Sequence, residues 1–341
     1  MRGPSPTSPD GLGERGETMR TPRRGSTWGM IDVGTNSIHL MIGRVDRHGR
    51  FRALVKERAL TRLGEGGLVS DTLTPSAMRR ALRVLRRYAA TLKRYAVDHL
   101  EAVATSAVRE AANGREFVRD VRETLGLPLR IISGREEARL IYRGVITANR
   151  LRASTLMVSI GGGSTQVMVG RGAAIQFATS LSLGSARLAQ QFIHHDPPRR
   201  QELDALERAV RQALAPVARA VRRYRWQRVL GCSAMIEQVI AAAQRHPVHP
   251  RPKSTQPLAV SRHSLHRLVR WLSTSTAPQR KRVPGLDPKR QDLALTTGVC
   301  LLTWMEQCGV SIIRYAPGSL REGLVMDETH CAGGVNKEHR R

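Results

Sequence analysis

One stretch of this chain is present twice. Shifted by 127 positions, Ile31-Asp32-Val33-Gly34-Thr35-Asn36-Ser37 falls on Val158-Ser159-Ile160-Gly161-Gly162-Gly163-Ser164. The match runs on without a gap, so that Leu40-Met41-Ile42-Gly43-Arg44 meets Val167-Met168-Val169-Gly170-Arg171. Each copy is an apolar run, a turn of Gly, Ser, Thr and Asn, and a second apolar run, the pattern of a β-hairpin. A chain that repeats a hairpin in register is constrained to two related half-structures. Its 341 residues are enough to give each half a core of its own.

A turn of this composition can aim backbone N–H groups and hydroxyls at one point, where an anion sits, and phosphate is the natural guest. A single copy reads as an ordinary hairpin turn; the second copy in register argues for binding. Neither copy is a P-loop, because no Gly-Lys-Ser/Thr follows and the next segment alternates like a strand instead of opening a helix.

The rest of the chain narrows the class. No run of eighteen apolar residues occurs, so no membrane span is expected. The four cysteines form no Cys-x-x-Cys pair and no zinc spacing, which fits free thiols in a reducing cytoplasm. The formal net charge of +28 attracts polyanions such as nucleic acid or a chain of phosphates, unless the arginines are simply spread over solvated helix faces. Aromatic residues are only 4% and no nucleic-acid fold signature is present, so nucleic acid is not an expected partner.

The expected organisation is a disordered leader over 1–27, an N-terminal α/β domain over 28–150, a C-terminal α/β domain over 151–330 and a disordered tail over 331–341. In the first half, Phe51 to Leu60 reads as a strand, and Thr74-Pro75 opens a helix with arginines along its outer face. That basic face reads as solvated surface. A strand from Ala102 leads to Thr105, Ser106 and Arg109, two hydroxyls and a planar guanidinium suited to phosphate oxygens. A further strand from Leu129 enters Ser133-Gly-Arg-Glu-Glu137. Ser133 and Glu136 have capping-box spacing, which leaves Glu137 as the carboxylate for chemistry, placed to orient or deprotonate a water. In the second half a helix is expected over 287–308, and Arg228 to Met235 forms a third strand-to-helix turn.

Taken in order, Ile31-Asp-Val-Gly-Thr-Asn-Ser37, Ala104-Thr-Ser-Ala-Val-Arg-Glu-Ala111, Ser133-Gly-Arg-Glu-Glu-Ala-Arg139, Ile160-Gly-Gly-Gly-Ser-Thr165, Leu183-Gly-Ser-Ala-Arg187, Pro284-Gly-Leu286 and Arg321-Glu-Gly-Leu324 resemble the motifs of the exopolyphosphatase/guanosine pentaphosphate phosphohydrolase (Ppx/GppA) family. The resemblance runs from about residue 28 to residue 327 and matches the short, two-domain type. It implies duplicated actin-like ATPase (ribonuclease H-like) α/β domains with the active site in the cleft between them. It implies hydrolysis of terminal phosphoanhydride bonds in polyphosphate or guanosine pentaphosphate with magnesium, and a homodimer. By motif, Glu137 takes the place of the catalytic glutamate, Arg109 that of a phosphate-binding arginine, and Asp32 that of the metal-binding acid. Gly34, Thr35, Asn36 and Ser37 form one phosphate loop and Gly161, Gly162, Gly163, Ser164 and Thr165 the other.

The chain departs from that pattern at the second loop. The family reads Asp-Ile-Gly-Gly-Gly-Ser-Thr-Glu, and here Ser159 replaces the Asp and Gln166 the Glu; Ala234-Met235 also stands where relatives carry Gly-Thr. Two readings follow. One is a phosphoanhydride hydrolase with weakened activity. The other is a catalytically degenerate protein that binds polyphosphate or an alarmone as a sensor or scaffold.

Overall fold

A computed structural model describes residues 25–46, 51–245 and 257–334. The elements of the first half are β1 (Thr27–Val33), β2 (Ser37–Val45), β3 (Phe51–Leu60), α1 (Pro75–Arg94), β4 (His99–Ala104), α2 (Ser106–Glu110), α3 (Gly114–Leu125), β5 (Leu129–Ile131) and α4 (Gly134–Ala148). The second half holds β6 (Ser154–Ile160), β7 (Thr165–Arg171), β8 (Ala174–Leu181), α5 (Ser185–Phe192), α6 (Arg200–Val221), β9 (Arg228–Cys232), α7 (Ala234–Arg245), β10 (Ala259–Ser261), α8 (Arg262–Thr274), α9 (Ala277–Lys281), α10 (Ala294–Cys308), β11 (Ile312–Tyr315) and α11 (Leu320–Gly334).

The duplication seen in the sequence is kept in the strand pairing. β1 and β2 pair antiparallel from Thr27↔Arg44 to Val33↔Ile38, and β6 and β7 pair from Ser154↔Arg171 to Ile160↔Thr165. Every one of these partners is displaced by the same 127 positions. Even the irregularity recurs, with a register shift at Ile42/Gly43 against β3 and at Val169/Gly170 against β8. The two sheets follow one plan, β3-β2-β1-β4-β5 and β8-β7-β6-β9-β11, with β10 added at the edge of the second. The inner connections, β1 to β4 and β6 to β9, are parallel, as crossover helices require.

Strand alternation sorts the apolar residues to two faces. On one face of each sheet Ile31, Leu40 and Ile42, or Val158, Val167 and Val169, pack under that half's own helices. On the other face Met30, Met41 and Val103 join Met157, Met168 and Leu230 in one core shared by both halves, filled by α4 and α11. The packing crosses the boundary expected near residue 150. α4 precedes that boundary yet lies on β7 and β8, while α11, from the end of the second half, lies on β1.

The crossing of α4 and α11 is close because both helices offer glycine there. A Cβ on Gly144 would stand 2.1 Å from the Ser319 carbonyl oxygen, and one on Gly323 would stand 2.0 Å from that of Leu140. Backbone meets backbone at this point, with no side chain between.

Three expectations are adjusted. Residues 1–24 of the expected leader lie outside the described residues, but β1 already begins at Thr27, where Ser26 and Thr27 are buried. The tail expected from 331 is helical to Gly334, and 335–341 lie outside the described residues. The helix expected over 287–308 is shorter. Asp287 to Arg290 form a turn, Gln291–Leu293 a 3₁₀ turn, and α10 starts at Ala294, because the Asp287 side chain accepts the Lys289 N–H and holds the chain out of the helix.

Gly323→Ala should force α4 and α11 apart and cost about 1–3 kcal/mol, the usual range for overpacking. Chemical denaturation should show a lower midpoint, and an unchanged midpoint would mean that the crossing is not tight.

Candidate active site

The two glycine-rich loops face each other across the cleft. A Cβ on Gly163 would stand 2.4 Å from Ser106 Oγ and 2.6 Å from Thr35 Oγ1, so only glycine lets the second loop approach the first this closely. The loops also have a defined orientation. The carbonyls of Gly161 and Gly162 accept the N–H groups of Ser185 and Ala186, which open α5. In a trans peptide the following N–H points the other way, so those of Gly162 and Gly163 turn from α5 to the cleft. The first loop repeats the device. The Thr35 carbonyl accepts from Gly64, and that of Asn36 accepts from Thr61 and Arg62. Among the described residues, the N–H groups of Thr35, Asn36, Gly162 and Gly163 have no partner. Asn36 Nδ2 and Ser37 Oγ are buried and also unpaired. Free donors concentrated in this way make an anion cradle.

Both carboxylates singled out in the sequence reach this cleft, of about 200 Å³. Glu137 stands in the first turn of α4, whose N-terminus is capped by Ser133 Oγ accepting the Glu136 N–H at 3.1 Å. The neighbouring Glu136 turns away to Arg130 Nη1 at 2.7 Å, so the division of labour between the paired glutamates follows their environments. Burial pushes the Glu137 carboxyl up to about 7, Arg109 pulls it down, and Asp32 and Glu110 raise it. Asp32 is raised to about 6 by burial, opposed by Arg321 and reinforced by Glu322. Two acids poised near neutrality beside a donor-lined loop can exchange protons with a reacting water.

Arg109 is paired with Glu137 in this structure. Its Nη1 donates to Glu137 Oε2 at 3.0 Å and to the Ile132 carbonyl at 3.2 Å, which places it behind the glutamate. Thr165 leaves the second loop's donor set. It is fully buried, and its Oγ1 donates to the Leu183 carbonyl at 2.6 Å, because strand alternation sends it to the face opposite Ser164 and Gln166. Gly34, Thr35, Asn36, Ser37, Gly161, Gly162, Gly163 and Ser164 all line the cleft.

The two departures from the family pattern are local and neutral. Ser159 lies opposite Cys232 across β6 and β9. Gln166 Nε2 donates to Ser164 Oγ at 2.8 Å and to Ser180 Oγ at 3.2 Å. Met235 is buried against the cleft at the start of α7.

Sequence reasoning missed two cations. Arg290 lines the cleft, is buried, and its Nε has no partner; burial first and then Arg58 lower its pKa to about 10. Arg321 lines the opposite wall, with Nε 3.3 Å from Ser319 Oγ. His39, across β1 and β2 from Asp32, is lowered to about 3 by burial and then by Arg321, Arg58 and Arg290, so it is a neutral imidazole at physiological pH. Arg321 lay within a quoted motif, but nothing local in the sequence marked Arg290, which reaches the site only through the turn before α10.

The halves are joined around the cleft by charge. Arg187 Nη2 meets Glu110 Oε2 at 2.6 Å and its Nε donates to the Gly163 carbonyl at 3.2 Å, tying the second loop to α2. Arg62 holds Asp292 through Nη1 at 2.7 Å and Nη2 at 3.3 Å.

The comparisons agree with this arrangement. A family model described as the Ppx/GppA phosphatase family matches residues 41–332. The chain is similar to an exopolyphosphatase from Cytophaga hutchinsonii, with 28% identity and a TM-score of 0.80 over 90% of this chain and 98% of that one. It shares its fold with a Ppx/GppA family member from Aquifex aeolicus, at 22% identity and a TM-score of 0.73 over 90% and 98% of the two chains. The duplicated sheets are thus the actin-like α/β architecture, and the chain belongs to the Ppx/GppA phosphatase family.

Proposed function

We propose that this protein is a phosphoanhydride hydrolase that removes terminal phosphate from inorganic polyphosphate or guanosine pentaphosphate. The observation that carries this reading is the placement of Glu137, buried, paired with Arg109 and facing two loops of free N–H donors. In this reading the terminal phosphate lies between the loops, whose N–H groups take up charge spread over its oxygens in the transition state. Glu137 orients a water for in-line attack and accepts its proton, and Arg109 keeps that carboxylate aimed and charged. The buried, unpaired Arg290 offers a further donor to the anionic substrate.

Magnesium fits this donor set in one way. Among the described residues no group of three or more His, Cys, Asp or Glu converges, so an all-protein cage is not available. Asp32 and Glu137, two buried acids whose pKa values are raised, suit a hard cation that keeps waters and takes its other ligands from substrate phosphates. When bound, the ion would neutralise phosphate charge.

A second reading, binding without turnover, has its own support. Gln166 is tied to Ser164 and Ser180 and can take no proton from water, and Ser159 offers a metal no charge. Loss of charge-stabilising groups costs roughly a hundredfold or more each in rate, whereas anion binding to the loops is untouched.

Two outcomes are expected. Phosphate release under kcat/KM conditions should rise with pH through about 7, because a base works ionised and burial sets the Glu137 carboxyl near that value. Arg109→Met removes the group that pulls the carboxyl down, so the rise should move to higher pH; a profile with the same midpoint in both proteins would separate the limb from Glu137. Restoring the acids with Ser159→Asp and Gln166→Glu should increase turnover by at least about tenfold. If the native chain releases no phosphate while binding substrate, and only the restored variant turns over, the binding reading holds.

A further inference from the structure

The helix α1 carries Arg79, Arg80, Arg83, Arg86, Arg87, Lys93 and Arg94 and no Asp or Glu. At 3.6 residues per turn, Arg79, Arg83, Arg86 and Lys93 fall within about 80° of one another around the axis, in a stripe roughly 21 Å long. All four are exposed and have no ion-pair partner among the described residues. The neighbouring basic residues differ. Arg87 Nη2 lies 3.6 Å from Glu57, Arg94 rests over the Tyr95 ring, and Arg80 meets Glu65 at 2.8 Å. Like charges aligned along one helix repel, so an uncompensated row destabilises its own helix. A polyanion lying along the row would remove that repulsion.

The stripe also leads toward the cleft. From the same helix, Arg80 Nε donates to the Thr61 carbonyl at 3.0 Å and Nη2 to that of Arg62 at 3.3 Å. The N–H groups of Thr61 and Arg62 in turn donate to the Asn36 carbonyl of the first loop, at 3.1 and 3.0 Å. Arg62 itself holds Asp292 at the cleft rim, two residues from Arg290. The N-terminal end of α1 is thus tied to the first loop through one layer of backbone hydrogen bonds, by arginines that each also hold an acid.

The chemistry of the stripe selects its guest. A membrane-surface helix turns its apolar side outward, but here Ala81, Leu85, Tyr88 and Leu92 are committed to the core and the outer residues are charged. Nucleic acid that binds as single strands uses aromatic stacking, and α1 offers only Tyr95, at its C-terminal end. A row of point charges without aromatic or groove-shaped features suits a linear chain of phosphates that has no bases to read.

We infer that the α1 stripe is an accessory site for long-chain inorganic polyphosphate, holding the body of the chain while its end occupies the cleft. The inference rests on the hydrolase reading for the substrate's identity, and it favours polyphosphate over a guanosine nucleotide, which is too short to reach both places.

The test combines Arg79→Gln, Arg83→Gln, Arg86→Gln and Lys93→Gln in the full chain carrying Glu137→Gln, so that binding is read without turnover. Glutamine retains helix propensity, and matching circular dichroism and melting curves establish that the variant is folded. Labelled long-chain polyphosphate, tripolyphosphate and duplex RNA are titrated at several salt concentrations. Long-chain affinity should fall at least tenfold and its salt slope should become shallower, as expected when phosphate contacts are lost, while tripolyphosphate affinity stays unchanged. Unchanged long-chain affinity overturns the inference. So does a loss confined to duplex RNA, which would make the stripe a nucleic-acid surface. Phosphate release by the native chain is measured alongside. Its absence with long-chain binding intact sinks the hydrolase reading and leaves the stripe standing.

Discussion

The crossing of α4 and α11 is the contact on which the architecture depends. Each helix leaves the half of the chain that encodes it and packs on the other half's sheet, and Gly144 and Gly323 let their backbones touch. The shared core this creates, with Met30 and Met41 from one sheet and Met157 and Met168 from the other, sets the two hairpins face to face. The first turn of α4 then delivers Glu137 to the cleft and the first turn of α11 delivers Arg321. The geometry of the candidate site is a consequence of helix packing. The loops supply donors, and the crossing supplies the residues that face them.

The electrostatics of the site follow from burial more than from formal charge. A chain of net charge +28 keeps two cleft acids, and both are pushed toward neutrality because the surrounding backbone excludes water. Arg109 opposes that push on Glu137 from behind, leaving the cleft side of the carboxylate free. Ser159 and Gln166 are both buried. Gln166 donates neutral hydrogen bonds to Ser164 and Ser180. Shape and donors at the two loops come from the backbone, and the side chains at Ser159 and Gln166 are neutral.

Much of this was legible in the sequence, for definite reasons. The internal repeat carried the strand register because both hairpins bury the same alternation, and a one-residue slip would expose each apolar face. Ser133 and Glu137 could be assigned because capping is local. Contacts between distant segments were not legible. Thr165 seemed part of a phosphate loop, but the strand begins at that residue and turns it inward. The pairing of Arg109 with Glu137 joins residues twenty-eight positions apart. Arg290 gave no local signal, and the exchange of α4 and α11 is encoded only by two glycines whose meaning needs the partner helix.

In the proposed reaction Glu137, held by Arg109 between the two loops, performs proton transfer for phosphoanhydride hydrolysis. The direct measurement is phosphate release from long-chain polyphosphate and from guanosine pentaphosphate, with and without magnesium, comparing the native chain with Glu137→Gln. The account predicts magnesium-dependent release by the native chain and a loss of at least about a hundredfold in the variant, with substrate affinity retained. Equal release by the two proteins would contradict it.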